Sequence, residues 1–352
     1  LSRISAKVQA AVSRLAVVYQ EELDRDGTID FESMIADAIQ LVELGKYDSQ
    51  FKLILVDEFQ DISEPNAQLV KALRNQVAFA KLFGVGDDWQ SIYRFAGSDI
   101  TIFTDFEDHF GDAWTGKLQK TFRSHDGLAK AASAFVQANP QQIRKEVSSV
   151  RPDLPESIRF IPVDVVYREN SMEMACHSWL DDLNSFVMEN PDRPEFEGKS
   201  KLSVLVLARY NHVNPKKIKA LGRSHLDVEF MTFHRAKGLE ADYTVLLDVS
   251  EKVYGVPSRI EDDELLDLVI PLPESFPYAE ERRLFYVAMT RAIHGVRVFY
   301  DRKKPSGFLA EVEELAPAAV RRQELNGSRI KLCPKCRLGS LVIKQNRQSD
   351  NN

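Results

Sequence analysis

Lys52–Asp61 reads KLILVDEFQD. Four consecutive apolar residues, Leu53 to Val56, run straight into the carboxylates of Asp57 and Glu58. A short apolar run ending in acid is the pattern of a buried strand in a parallel sheet whose chemistry sits at its carboxyl end. Upstream, Ser2–Leu23 and Phe31–Leu44 place apolar residues at helical spacing. Downstream, a helix over Glu64–Arg74 and a second strand over Lys81–Gly86 complete a strand–helix–strand unit.

The same rhythm returns later in the chain. Gly127–Gln137 reads as helix. Asn139–Leu154 is polar and holds Pro140 and Pro152, as a domain linker does. Beyond it, Ile158–Val166, Leu202–Ala208, Val228–Thr232, Thr244–Val249 and Val296–Tyr300 read as strands, and Met172–Met188 and Glu280–Ala292 as helices. We therefore expect two α/β domains in tandem, each a parallel sheet flanked by helices: residues 1–139, a linker at 140–156, and residues 157–316, followed by a tail at 328–352.

At 352 residues the chain has room for about two domains. A content of 44% hydrophobic and 28% charged residues is that of a globular protein. No apolar run approaches the roughly 20 residues that cross a bilayer, and no basic-then-apolar leader opens the chain, so a cytoplasmic setting and no membrane partner are expected. The net charge of -7 excludes a generally cationic coat for nucleic acid, though not a local channel. Three cysteines, Cys176, Cys333 and Cys336, are too few for a disulfide framework. The chain opens on Leu1 rather than Met, which suggests a fragment.

Asp57 and Glu58 at a strand end suit Mg²⁺ and a water molecule. Mg²⁺ takes hard oxygens, usually one or two carboxylates plus phosphate, and the second acid can take a proton from an attacking water. A solvated acid pair is the plainer alternative. About thirty residues on, Gly86–Gly97 reads GDDWQSIYRFAG. Gln90 falls at the mouth of the neighbouring strand, where a neutral amide can report on a phosphate. Tyr93 and Phe95 offer faces on which unpaired bases stack for about 1–3 kcal/mol each. The alternative is that Trp89, Tyr93 and Phe95 belong to a core.

DEFQD followed by GDDWQSIYRFAG resembles motifs II and III of UvrD/Rep-type superfamily 1 DNA helicases. LQKTFRS (Leu118–Ser124), LSVLVLARYN (Leu202–Asn211), FMTFHRAKGLEAD (Phe230–Asp242) and EERRLFYVAMTRA (Glu280–Ala292) are similar to the later family segments, in family order. The GDDWQSIYRFAG wording and the CPKC tail favour the helicase IV branch. The resemblance implies two RecA-like domains of the P-loop NTPase type, the first incomplete, and an ATP-dependent motor moving 3′ to 5′ on single-stranded or partly duplex DNA, with ATP and Mg²⁺ as cofactors. It implies that Asp57 binds Mg²⁺, that Glu58 activates the hydrolytic water and that Gln90 senses the γ-phosphate. Phe122 would stack on adenine, and Arg123 and Arg291 would reach the γ-phosphate. Gly238 and Glu240 would line the nucleotide. Tyr93 and Phe95 would stack bases, and Thr232 and His234 would touch the DNA backbone. Read singly, Arg123 is a surface arginine, Arg291 a complement to a helix dipole and His234 a structural histidine.

The chain departs from the family pattern. No G-x-x-x-x-G-K-[ST] occurs in it, so the polypeptide alone is expected not to hydrolyse ATP and to require a missing N-terminal motor region. Only 18 residues, His212–Glu229, stand where relatives carry a large inserted subdomain. Arg94-Phe95-Ala96 stands where relatives often show Gly-Trp-Arg, which moves the basic contact. Cys333-Pro-Lys-Cys336 resembles half of a zinc ribbon. Zn²⁺ needs four ligands and no second pair follows, so two free thiols in a turn is the alternative. A non-catalytic nucleic-acid-binding or regulatory module that kept the fold is the competing function.

Overall fold

The computed structural model describes residues 3–166, 170–193, 196, 198–216, 218, 223–263, 266 and 269–329. They fall into two compact units: Leu1–Gly116 with Glu261–Ser275, and Lys117–Ile260 with Phe276–Asn352. None of the described helices is long and apolar enough to cross a membrane.

In the first unit, helices α1 (Arg3–Asp26) and α2 (Phe31–Glu43) precede strand β1 (Leu53–Val56), helix α3 (Glu64–Asn75) and strand β2 (Lys81–Gly84). Asp30 caps α2 by accepting the Ser33 N–H at 2.7 Å, which satisfies one orphan donor of the first turn. Pro65 sits in the first turn of α3, where a missing N–H costs nothing. β1 and β2 pair in parallel, Leu53 opposite Lys81. Short helices α4 (Thr101–Thr104) and α5 (Phe106–Phe110) close the core around Phe59. The Phe59 ring lies 5.4 Å from Phe106 and 5.7 Å from Phe110.

The second unit carries the larger sheet. Its strands are β5 (Ile158–Val163), β6 (Leu202–Ala208), β7 (Leu226–Thr232), β8 (Ala241–Leu247), β9 (Ala292–Asp301) and β10 (Val320–Arg322). They run in the order β10-β5-β9-β8-β6-β7, all parallel. β6 and β9 are buried along nearly their whole length, which explains their unbroken apolar reading. Helix α7 (Ser171–Glu189) covers one face with Cys176, Trp179, Leu180 and Leu183. Helices α6 (Asp126–Val136), α8 (Ala279–Met289) and α9 (Gly307–Leu315) meet around Phe135, whose ring lies 5.5 Å from Phe285 and 5.0 Å from Phe308.

The structure corrects the expected boundaries at three points. Residues 117–139 belong to the second unit, not the first, because α6 is held there by those aromatic contacts and by Arg282 donating to the Phe135 carbonyl at 3.0 Å. The expected linker at 140–156 contributes strand β4 (Ser148–Ser149), which pairs in parallel with β3 (Lys120–Thr121). Segment 261–275, expected in the second domain, belongs to the first unit, where Arg94 donates to the Pro271 carbonyl at 3.0 Å and pairs with Asp262. β1 also departs from its expected burial. Leu53 and Leu55 are exposed, Leu55 by 66%, because the core of this unit lies on the other face of a two-stranded sheet. The zinc-ribbon-like expectation at Cys333 and Cys336 lies outside the described residues. Among those described, no cluster of histidine, cysteine or carboxylate side chains could hold a metal by itself.

Candidate functional site

β1 delivers Asp57 and Glu58 to its carboxyl end. One Asp57 oxygen accepts the Glu58 N–H at 2.8 Å. Glu58 adopts φ 49° and ψ 41°, a left-handed conformation that a side chain rarely takes. The turn lets Phe59 return its N–H to Val85 at 2.8 Å and bury its ring. The Gln60 amide is wholly buried and committed at both ends. Its Nε2 donates to Glu58 at 2.6 Å, and its Oε1 accepts the Asp87 N–H at 2.8 Å. Asp87 then accepts from Gln90 Nε2 at 2.7 Å. A hydrogen-bonded chain thus runs Glu58–Gln60–Asp87–Gln90, from one strand end to the next. Gly86 makes it possible: a Cβ there would stand 2.6 Å from Gln60 Oε1.

The loop after Gln90 holds the aromatics. Trp89 is core, as the plainer reading had it. Tyr93 is half-buried and meets Phe95 edge to face at 6.0 Å. Phe95 is 60% exposed. Burial, then the charges of Asp61 and Glu58, raise the Tyr93 phenol above its ordinary range and keep it neutral.

In the second unit, the β3–β4 ribbon positions Phe122 and Arg123. Ser149 Oγ donates to the Ser124 carbonyl at 2.6 Å, and Arg151 Nε to the Phe122 carbonyl at 3.0 Å. The Phe122 ring is left 70% exposed. Arg123 donates to Glu240 at 2.9 Å and to the Thr290 carbonyl at 3.4 Å. Arg291 is buried just past α8. It donates to the carbonyls of Val287 at 2.9 Å and Leu239 at 3.2 Å, and to Thr290 Oγ1 at 3.1 Å. Gly238 sits at φ +81°, which lets the chain turn before Glu240. Arg123, Gly238, Glu240 and Arg291 therefore meet at the amino end of β8 and β9.

Thr232 and His234 lie elsewhere, at the carboxyl end of β7, and loop 233–240 joins the two places. Burial, then the Arg209 charge, pull the His234 imidazole down to about 4, so it is neutral at physiological pH. The sequence reading missed Gln60 and Asp87. Each stands next to another polar residue, Gln60 before Asp61 and Asp87 before Asp88, so nothing in the local sequence singles it out.

These features can be set beside known proteins. Residues 2–111 match the UvrD/REP helicase N-terminal domain, and residues 178–300 match the UvrD-like helicase C-terminal domain. The chain is 34% identical over 310 residues to DNA helicase IV of Escherichia coli, covering 88% of this chain and 42% of that protein. It is 36% identical over 129 residues to the ATP-dependent DNA helicase PcrA of Staphylococcus epidermidis, covering 35% of this chain and 17% of the relative. It is 32% identical over 158 residues to the putative ATP-dependent DNA helicase YjcD of Bacillus subtilis, covering 44% and 21%. The chain thus spans about two-fifths of the length of the first of these relatives and less of the others. With both domain types matched in order, and the acid pair and the arginines each at a sheet end of its own unit, the chain belongs to the UvrD/Rep family of helicases.

Proposed function

We propose that this chain supplies ATP- and DNA-handling groups of a helicase or translocase that moves 3′ to 5′ along single-stranded DNA. The observation that carries the reading is the Glu58–Gln60–Asp87–Gln90 hydrogen-bond chain. It joins the acid pair to the loop bearing Tyr93 and Phe95, so a change at a phosphate is felt where bases stack. The relatives' names, DNA helicase IV and ATP-dependent DNA helicase PcrA, point to the same substrates.

Asp57 and Glu58 are a hard-oxygen donor pair at a strand end and fit Mg²⁺, which asks the protein for one or two carboxylates. Asp57 would hold the ion, whose chemistry is to neutralise phosphate charge. Glu58 accepts the proton of the attacking water, and Gln60 fixes the orientation of its carboxylate. Arg123 and Arg291 provide cationic charge to the transferred phosphoryl, worth about 10³–10⁵ in rate in other NTPases. In the structure their donors go to Glu240 and to backbone carbonyls, so this role requires both guanidiniums to exchange partners. Phe122 stacks on the adenine, Glu240 approaches the ribose and Gly238 leaves room beside it. Tyr93 and Phe95 stack bases. Thr232 and His234 bond the DNA backbone, His234 as a neutral imidazole and not as a cation.

The test is ATP hydrolysis with and without single-stranded DNA. Because the chain contains no G-x-x-x-x-G-K-[ST], we expect the 352-residue polypeptide alone to bind DNA without measurable turnover. In a polypeptide that joins these residues to such a loop, DNA-stimulated hydrolysis is expected, and Glu58→Gln should lower kcat by about 10²–10⁴, the usual worth of a general base. Turnover undiminished by Glu58→Gln would overturn the assignment.

A further inference from the structure

Arg321 of β10, Arg159 of β5 and Arg297 of β9 are register partners on three adjacent parallel strands. Partners on neighbouring strands project from one face about 4.8 Å apart, so three guanidinium side chains stand in a row. The row continues into Val245 of β8 and Val206 of β6, which are buried in the core beneath α7. Arg297 is enclosed between the Trp179 ring at 5.7 Å and the Tyr243 ring at 5.3 Å. Arg159 and Arg321 remain partly open to solvent.

The row is short of negative charge. Among the described residues, Glu156 is the carboxylate that reaches it, bonded to Arg321 at 3.0 Å and shared with Arg329. The Nε atoms of Arg159, Arg297 and Arg321 are all buried without a hydrogen-bond partner. So are Ser157 Oγ and Gln323 Oε1, two residues along the chain from Arg159 and Arg321. Like charges on neighbouring strands repel. Arg297 Nη1 donates to the Ser157 and Val296 carbonyls, at 3.5 and 3.2 Å, but among the described residues no carboxylate pairs with it, and a buried charge without a counter-charge is costly. Burial, then the Arg159 charge, draw Arg297 down to about 9. Three of the five unmatched atoms are the arginines' own Nε donors and the other two lie two residues along the same chain segments, so the row holds donors for an anion. None of these residues has a part in the ATP and DNA reading.

We propose that the Arg321–Arg159–Arg297 row binds the phosphate group of a small anion or of a nucleic-acid strand end. A phosphate monoester or free phosphate carries up to two charges and three or more oxygens, which match several guanidinium forks at once. A carboxylate brings one charge and two oxygens and leaves donors unmet. A phosphodiester within a strand is blocked on both flanks and does not reach Arg297 beneath Trp179. The Ser157 hydroxyl adds a donor, and Gln323 Oε1 accepts from a protonated phosphate oxygen.

The experiment compares thermal midpoints of the 352-residue chain in orthophosphate and in chloride, at one pH and one ionic strength, with ³¹P line broadening of orthophosphate as a second readout. We expect a saturable rise in Tm with phosphate and broadening of the ³¹P signal. Arg159→Leu and Arg297→Leu should each weaken orthophosphate binding at least tenfold. Both should also match or exceed the wild-type Tm in chloride, which shows that they fold. Comparison of 5′-phosphorylated and 5′-hydroxyl single strands separates the sources. A preference for the phosphorylated strand that Arg159→Leu abolishes assigns a strand end, whereas equal binding assigns the free anion. Identical wild-type midpoints in phosphate and chloride, or leucine variants that keep the full phosphate response, would overturn the proposal.

Discussion

Glu58 and Gln60 constrain one another in the first unit, Gln60 Nε2 donating to the Glu58 carboxylate at 2.6 Å. A left-handed residue that is not glycine costs of the order of 1–3 kcal/mol, and it persists where surrounding structure enforces it. Here the enforcement is the buried Phe59 ring on one side and the doubly committed Gln60 amide on the other. His234 offers a test of the second unit. Its imidazole titrates near 4 in the folded chain, against 6.5 when exposed. Between those values the unfolded chain holds a proton that the folded chain does not. Stability is therefore full above about pH 6.5 and falls as the pH drops towards 4, by up to about 3 kcal/mol. Asp242 works in a lower window. Burial opposes its charge, but His294, Lys199 and Ser203 override burial and hold it well below the usual carboxylate range. Its contribution is lost only below about pH 4. We expect His234→Gln to flatten the acid side of a plot of urea midpoint against pH between 6.5 and 4. A variant with the wild-type slope would place that proton elsewhere.

At the scale of elements, the two sheets differ in how much apolar surface they use. In the second unit, strands such as β6 are buried along nearly their whole length. In the first, Leu53, Leu55 and Phe83 are each more than half exposed on β1 and β2. A fully buried side chain of this kind contributes about 1.5–3 kcal/mol, so this face favours association. The 352-residue chain should self-associate with rising concentration, and Leu55→Lys should shift it towards monomer in sedimentation equilibrium. A wild-type chain that stays monomeric would show that the face is not adhesive. The same contrast governs what could be read in advance. Long buried strands and amphipathic helices were legible because their periodicity is set by burial. β3 and β4, with two residues each, carry no period, and β10 reads as VRR because Arg321 and Arg322 sit inside a sheet. The motif residues stood out by the resemblance of their segments to the family's motifs, in family order. Their partners did not: Gln60 to Asp87, Arg123 to Glu240 and Arg94 to Asp262 join residues 27 to 168 positions apart.

Over the whole molecule, the motifs are dealt between two units at places the linear order disguises. The change falls at Gly116, before the polar and proline-bearing stretch that looks like a linker, and segment 261–275 belongs with the first unit although it is encoded within the second. Asp57, Glu58 and Gln90 thus lie in one unit, and Phe122, Arg123, Glu240 and Arg291 in the other. The central proposal is that both sets act in one reaction, the hydrolysis of ATP. The most direct measurement is a double-mutant cycle on kcat of DNA-stimulated hydrolysis, in a polypeptide that carries these residues together with a G-x-x-x-x-G-K-[ST] loop, using Glu58→Gln and Arg123→Lys. Groups that stabilise the same transition state are strongly non-additive, so we predict that each single change slows turnover by about 10²-fold or more, and that the pair slows it little beyond the worse single variant. Losses that simply multiply, or an Arg123→Lys enzyme within twofold of wild type, would contradict the claim.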